Sequence, residues 1–297
     1  MTHSIESDLI SATIDEKGAE LISLYSKRQK QEYLWQGNPD IWGGQAPVLF
    51  PIVGRLKDGA YTYKGKSYKM SPHGFVSNAP FVTKGAPDSS ITFTYEDTAQ
   101  TRAIYPFSFK LSVIFSVQWN VLETIYQVEN RTKGPMYFSC GSHEGYICPR
   151  YEDESFEDYF LEFGQDATYQ SLTVSENGLL CEPHYAVIEN GKRLPLHYGL
   201  FKNDSLVLTN IPTNTVTLAS TKSKNKIVID YEEAPNLVLW TKPNAPYICI
   251  EPWDGLPDFE GSDGDITNKP GILRLEEGET YNWRHTISIY ETGEVVL

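Results

Sequence analysis

Between Leu111 and Asn130 the chain alternates as a half-buried strand does. Leu111, Val113, Phe115 and Val117 occupy every second position, Trp119-Asn120 breaks the run, and a second strand follows through Ile125 to Val128. This pattern reads as an antiparallel β-hairpin. Comparable short strands are expected at Ile91–Tyr95, Leu206–Leu208, Val216–Leu218, Ile227–Tyr231, Leu237–Trp240, Tyr247–Ile250 and Thr286–Tyr290. Leu275-Glu276-Glu277-Gly278-Glu279 reads as a tight turn between two further strands, because glycine supplies the positive φ such turns need. No long stretch carries a convincing 3.6-residue period, although Asn38–Trp42 and Asp153–Phe160 could form short helical turns. Nineteen Tyr, 13 Phe and 6 Trp, with 22 Gly and 18 Pro spread along the length, fit the same picture. Closely spaced strands without alternating helices predict an all-β protein, a large antiparallel β-sandwich. With no linker, low-complexity tract or fixed repeat, residues 1–297 are read as a single domain.

Composition then removes classes of function. The chain has 25 Lys+Arg against 39 Asp+Glu, a formal charge of −14, which disfavours nucleic acid as a partner because phosphates are neutralised by clustered basic residues. The longest apolar stretch, Ala46 to Val53, contains two prolines and falls far short of the roughly 18 to 20 residues of a membrane span, so no membrane partner is expected. The first residues, MTHSIESDLI, lack a basic segment followed by an apolar run, and the expected location is cytoplasmic. Cys140, Cys148, Cys181 and Cys249 form no CxxC pair and are read as reduced thiols.

Six histidines narrow the search for chemistry. His3 reads as a solvated terminal residue, and His184, His197 and His285 as structural. His73, in Ser71-Pro72-His73-Gly74-Phe75, and His143, in Ser139-Cys140-Gly141-Ser142-His143-Glu144-Gly145-Tyr146, are framed by small or irregular residues. Each could be a site residue or a loop histidine satisfying backbone groups. No HxH, HExxH or Cys/His cluster suggests a metal, and no GxSxG elbow or glycine-rich phosphate loop suggests a nucleophile or nucleotide. Acid/base chemistry remains. Glu251 ends the apolar run Tyr247-Ile248-Cys249-Ile250 and precedes Pro252-Trp253, where burial would raise its pKa toward a general base's range, though a salt-bridged strand end reads equally well. Arg55, closing the Pro/Gly-punctuated run Pro47-to-Gly54, could present a donor fork to ligand oxygens or anchor a loop carboxylate.

Taken together, PVLFPIVGRL, the Tyr61-to-Phe75 stretch ending in HGF, the hairpin running into VENRT, the loop SCGSHEGY and LVLWTKPNAPYICIEPWDG resemble, in this order, the aldose 1-epimerase (galactose mutarotase-like) family, particularly its LacX-type branch. The matching segments extend from about residue 43 to 255. The resemblance implies a galactose mutarotase-like supersandwich and interconversion of the α and β anomers of a free aldose, with no cofactor. By position, His143 would be the general acid on the ring oxygen and Glu251 the base on the anomeric hydroxyl. Arg55 and His73 would bind sugar oxygens and Asp204 a hydroxyl; on physical grounds Trp240 or Trp253 offers a flat apolar face for the sugar's C–H side, or both belong to the core. Physically, a histidine titrating near 6.5 and a desolvated glutamate can exchange roles in the reverse direction. One departure stands out. Glu144 follows the proposed acid where many relatives have proline; pointing into the pocket it would raise the histidine's pKa, and pointing outward it would do nothing.

Other readings of the same fold are a hexose-6-phosphate epimerase and a non-catalytic sugar-binding protein. The first needs a basic cluster, for which Arg55, Lys57, Lys66 and Lys69 are the candidates. The second does not need an acid/base pair. Glycoside hydrolysis ordinarily needs two carboxylates, and only one has a distinctive setting. The sequence offers no reading of oligomeric state.

Overall fold

The computed structural model describes residues 1–84, 88–232 and 234–292. The expected hairpin is present as Phe109–Gln118 paired in register with Val121–Asn130, with Trp119 taking the left-handed conformation of the turn. Phe109, Leu111, Val113, Phe115 and Val117 are buried from one strand and Leu122, Tyr126 and Val128 from the other. Each of the other expected strands lies within an observed one, except that Ile227–Tyr231 runs one residue past Lys226–Asp230.

A 14-stranded sheet dominates the molecule. Its path runs from Cys140–Gly141 through Tyr247–Asp254, Asn236–Trp240, Leu206–Thr209, Tyr159–Val174, Thr215–Ser220, Lys226–Asp230, Thr280–Tyr290, Val121–Asn130, Phe109–Gln118 and Ser90–Glu96 to Val82–Lys84. Its described pairings are antiparallel. The sheet folds over one large apolar core, so side chains from its first strands meet those of Thr280–Tyr290 far along the path. A four-stranded sheet formed by Thr2–Glu6, Ile10–Asp15, Glu20–Ser26 and Gln31–Glu32 adds Ile5, Ile10, Ala12 and Ile14 to that core.

Three local expectations change. Asn38–Trp42 is a turn closed by a β-bridge rather than a helical turn. Within Asp153–Phe160 only Phe156–Asp158 is helical, as a single 3₁₀ turn. The turn at Leu275–Glu279 is present, with Gly278 at φ +77°, but Leu273–Leu275 pairs with Met136–Phe138 while Thr280–Tyr290 belongs to the large sheet. It is therefore a link between sheets and not a hairpin.

The strand that organises the site is Tyr247–Asp254. It is covered on both faces, which explains its unbroken apolar run. On one side it pairs with Asn236–Trp240, and on the other with Cys140–Gly141 and then Glu144–Ile147.

Candidate active site

The two short strands share one register on Tyr247–Asp254: Gly141 opposes Trp253 and Glu144 opposes Ile250. Continuing it across the gap sets Ser142 opposite Pro252 and His143 opposite Glu251. Ser142 N–H still donates to the Pro252 carbonyl (3.1 Å), but Pro252 has no N–H to return, and the indole N–H of Trp253 donates to the Ser142 carbonyl instead (3.2 Å). The sequence Glu251-Pro252-Trp253 thus opens the ladder beside the two candidate acid/base residues without orphaning a backbone acceptor.

His143 Nε2 lies 3.4 Å from Glu251 Oε2, with side chains 12% and 1% exposed. Neither Glu251 oxygen nor His143 Nδ1 has a hydrogen-bond partner among the described residues. Burial, with the charges of Glu144 and Asp204, pushes the Glu251 carboxyl well above the usual carboxylate range. Burial beside His73 lowers His143 to about 3. The expectation that this histidine titrates near 6.5 is therefore corrected: the pocket favours both members in their neutral forms.

Glu144 takes the outward of its two readings. Alternation along the strand turns it to the face opposite Glu251, where Oε1 meets His285 Nε2 at 3.0 Å, both side chains at most 5% exposed. It does not raise the pKa of His143. His285 stacks against Trp283 and Tyr126, fitting its reading as a structural residue.

His73 arrives on the loop after Pro72 in the left-handed conformation, φ +61°. Gly74, also left-handed, lies where a Cβ would fall 2.1 Å from the Phe50 carbonyl oxygen, so no other residue lets this loop approach the PVLFPIVGRL segment. Gly54 N–H donates to His73 Nδ1 (3.2 Å), which leaves the proton of the neutral ring on Nε2. Burial and the Arg55 charge lower His73 to about 4, so it is a neutral donor near neutrality. Arg55 is exposed, and among the described residues no carboxylate pairs with it. Its backbone carbonyl accepts from Asp258 N–H (2.8 Å), and Asp258 is fixed by a buried ion pair with Lys269 (2.7 Å). Its side chain runs over Gly178, whose added Cβ would sit 2.7 Å from Arg55 Cδ.

Arg55, His73, His143, Asp204, Trp240 and Glu251 all line one cavity of about 520 Å³. Trp253 lines it too, though its indole is largely buried and committed to Ser142. The sequence reading missed Trp42, whose ring lies 5.1 Å from His143 at a 30° tilt and, with Trp240, boxes the imidazole. The signal was the Trp-Gly-Gly step just before the PVLF run. Of the basic residues considered for a phosphate, only Arg55 lines the cavity. Lys57 Nζ donates to the Ser262 carbonyl, and Lys66 lies over the Tyr68 ring. Among the described residues no helix is long and apolar enough to cross a membrane.

An antiparallel sandwich of this size with a polar, aromatic-walled cavity at one end of its sheet is the galactose mutarotase-like fold. A galactose mutarotase related enzyme from Lactobacillus acidophilus superimposes with TM-score 0.94 at 35% identity, covering the whole of both chains. A galactose mutarotase-like protein from Lactobacillus casei gives 0.93 at 31%, covering 98% of this chain and all of that one. The LacX protein of Lactococcus lactis is 32% identical over 97% of this chain and 99% of its own length. The sequence profile of aldose 1-epimerase matches residues 1–288, and the chain belongs to the aldose 1-epimerase family.

Proposed function

We propose that the protein is an aldose 1-epimerase that interconverts the anomers of a free hexose, acting as a single domain in the cytoplasm without a cofactor. The observation that carries this reading is the register-opposed pair His143 and Glu251, 3.4 Å apart on the floor of a sugar-sized cavity.

The pair needs one proton between its members. Burial rests that proton on Glu251; its transfer to His143 gives imidazolium opposite carboxylate, from which His143 protonates the ring oxygen as Glu251 takes the proton of the anomeric hydroxyl. The C1–O5 bond breaks and an open-chain aldehyde forms. The pair is then neutral imidazole and carboxylic acid, the forms burial favours. Rotation about C1–C2 and the reverse proton transfers close the ring on the other face, and the enzyme returns to its starting state with all protons accounted for. His73, through Nε2–H, and Arg55 donate to sugar oxygens, and Asp204 accepts from a hydroxyl. Trp240 and Trp42 cover apolar C–H surface.

A free sugar fits better than a phosphorylated one because Lys57, Lys66 and Lys69 lie away from the cavity and Lys242, which lines it beside Arg55, gives its ammonium to the Ile41 carbonyl. Polarimetry, or NMR of the anomeric protons, on freshly dissolved α-galactose and α-glucose tests the proposal. Acceleration over the spontaneous rate that disappears in Glu251→Gln is the expected result. No acceleration of either sugar would overturn the free-hexose reading and turn attention to phosphorylated hexoses and then to simple binding.

A further inference from the structure

Cys249 plays no part in the chemistry above, yet it lies directly beneath it. It alternates with Glu251 on Tyr247–Asp254, so both side chains leave the same face of the strand. The residue opposite Cys249 is Gly145, whose missing side chain makes room for the Trp42 ring, and Cys249 is fully buried. Its neighbour on the other side is Trp240. Sulfur, a ring nitrogen of His143 and a carboxylate oxygen of Glu251 all lie within 4.8 Å of one another. Glu251 is 1% exposed, and its unpartnered carboxylate oxygens face this cluster.

We propose that His143, Cys249 and Glu251 form a binding site for a thiophilic divalent cation of the zinc type, and that its occupancy switches the acid/base pair off. Thiolate, imidazole and carboxylate are the donor types zinc takes, and three protein ligands leave a fourth position open toward the cavity. Tetrahedral bonds of about 2.0–2.3 Å put donors roughly 3.3–3.8 Å apart. His143 and Glu251 already stand at 3.4 Å, and side-chain rotations of about an ångström bring the sulfur in. Charge also balances: thiolate plus carboxylate neutralise a dication with nothing left over in a buried site. Binding displaces the thiol proton and any proton on Glu251 to solvent. The surrounding Trp35, Trp42, Trp240 and Tyr247 give the ion an apolar shell that strengthens its bonds to these ligands.

The inhibitory half of this proposal rests on the epimerase reading, and the binding half does not. Titrating the full chain with Co²⁺ should raise a thiolate-to-cobalt charge-transfer band that saturates near one equivalent and is bleached by Zn²⁺. In Cys249→Ala, with Cys249→Ser as a second variant, the band should vanish and Zn²⁺ affinity fall roughly 100-fold. Circular dichroism and the metal-free anomerisation rate should match the parent chain. Zn²⁺ should stop anomerisation by the parent chain, with recovery on chelation. Absence of the band, or binding unaltered in the folded Cys249 variants, would overturn the site, and occupancy without inhibition would overturn the switch. A Cys249-dependent band in a chain that turns over no sugar would support the metal site and remove only the epimerase reading.

Discussion

Two glutamate–histidine pairs lie on opposite faces of one strand pair, Glu144 reaching from it across the core to His285 on Thr280–Tyr290. On the core face, Glu144 and His285 meet at 3.0 Å, sealed from solvent and stacked upon by Tyr126 and Trp283. On the cavity face, Glu251 and His143 stand at 3.4 Å beside a cavity of about 520 Å³, with both carboxylate oxygens unpartnered. The residue types and nearly the burial are alike, but hydrogen bonding and access differ. A closed pair puts its interaction energy into holding strands together. An open one keeps its donors and acceptor unused until a ligand supplies partners, and the cost of burying them is borne by the rest of the fold.

The largest expected effect separates the two faces. Glu251→Gln should lower the anomerisation rate by roughly 10²–10⁴-fold, the usual worth of a positioned acid or base. The same variant should not lose stability near neutral pH. A carboxyl held above its unfolded pKa contributes stability that is complete at low pH and is lost as pH rises through its folded value, so a neutral amide removes that loss. Thermal melts from pH 4 to 8 check this: the advantage of the variant over the parent should grow with pH. A melting point that falls at every pH would mean that Glu251 is a structural partner like Glu144.

Glu144→Ala should show the reverse pattern. It leaves the His285 ring nitrogen buried without its partner and opens a void, and a buried polar group left unsatisfied costs about 1–3 kcal/mol. Denaturant titration reads the loss, while the fraction that folds should retain at least a tenth of the parent rate. Next in size come changes at the cavity mouth. Arg55→Ala removes a charged donor worth about 1.5–3 kcal/mol and should raise KM by roughly tenfold or more, with kcat changed less. Gly178→Ala should mimic it weakly, because the new methyl meets the Arg55 side chain and the residue is held at φ +72°.

How far these contrasts could be read in advance differs between the faces. His143, among small residues, and Glu251, at the end of an apolar strand before Pro252-Trp253, stand out locally as candidates that read equally well as structural, and the ordered family motifs assign them. Their opposition needs only the register of neighbouring strands. The Glu144–His285 contact spans 141 positions and depends on the sheet folding over its core, which no local pattern encodes. The first residues illustrate another limit. Thr2–Glu6 and Gln31–Glu32 are short and largely polar at an edge, so their strands carry little alternation. The sixteen-residue partners Tyr159–Val174 and Leu180–Pro195 shift register repeatedly, and each shift breaks the period a strand reading relies on.

The smallest expected effect is the most discriminating, because it asks whether the core pair communicates with the cavity pair at all. Activity requires one proton shared by His143 and Glu251, so the rate should be bell-shaped in pH, with the alkaline limb set by loss of the proton that burial, Glu144 and Asp204 hold on Glu251. Glu144→Gln keeps a polar side chain opposite His285 while removing a negative charge behind the strand. Glu251 then holds its proton less tightly, and the alkaline limb of kcat/KM should move to lower pH. Asp204→Asn should move the same limb in the same direction by less, since Asp204 is exposed to solvent and screened by it, and should also raise KM through loss of a hydroxyl acceptor. The double variant should add the two shifts, because the groups act on Glu251 from opposite faces and share no partner. A limb that stays put in Glu144→Gln would mean that the strand pair insulates its two faces electrostatically, and that the resemblance between the two glutamate–histidine pairs ends with their chemistry.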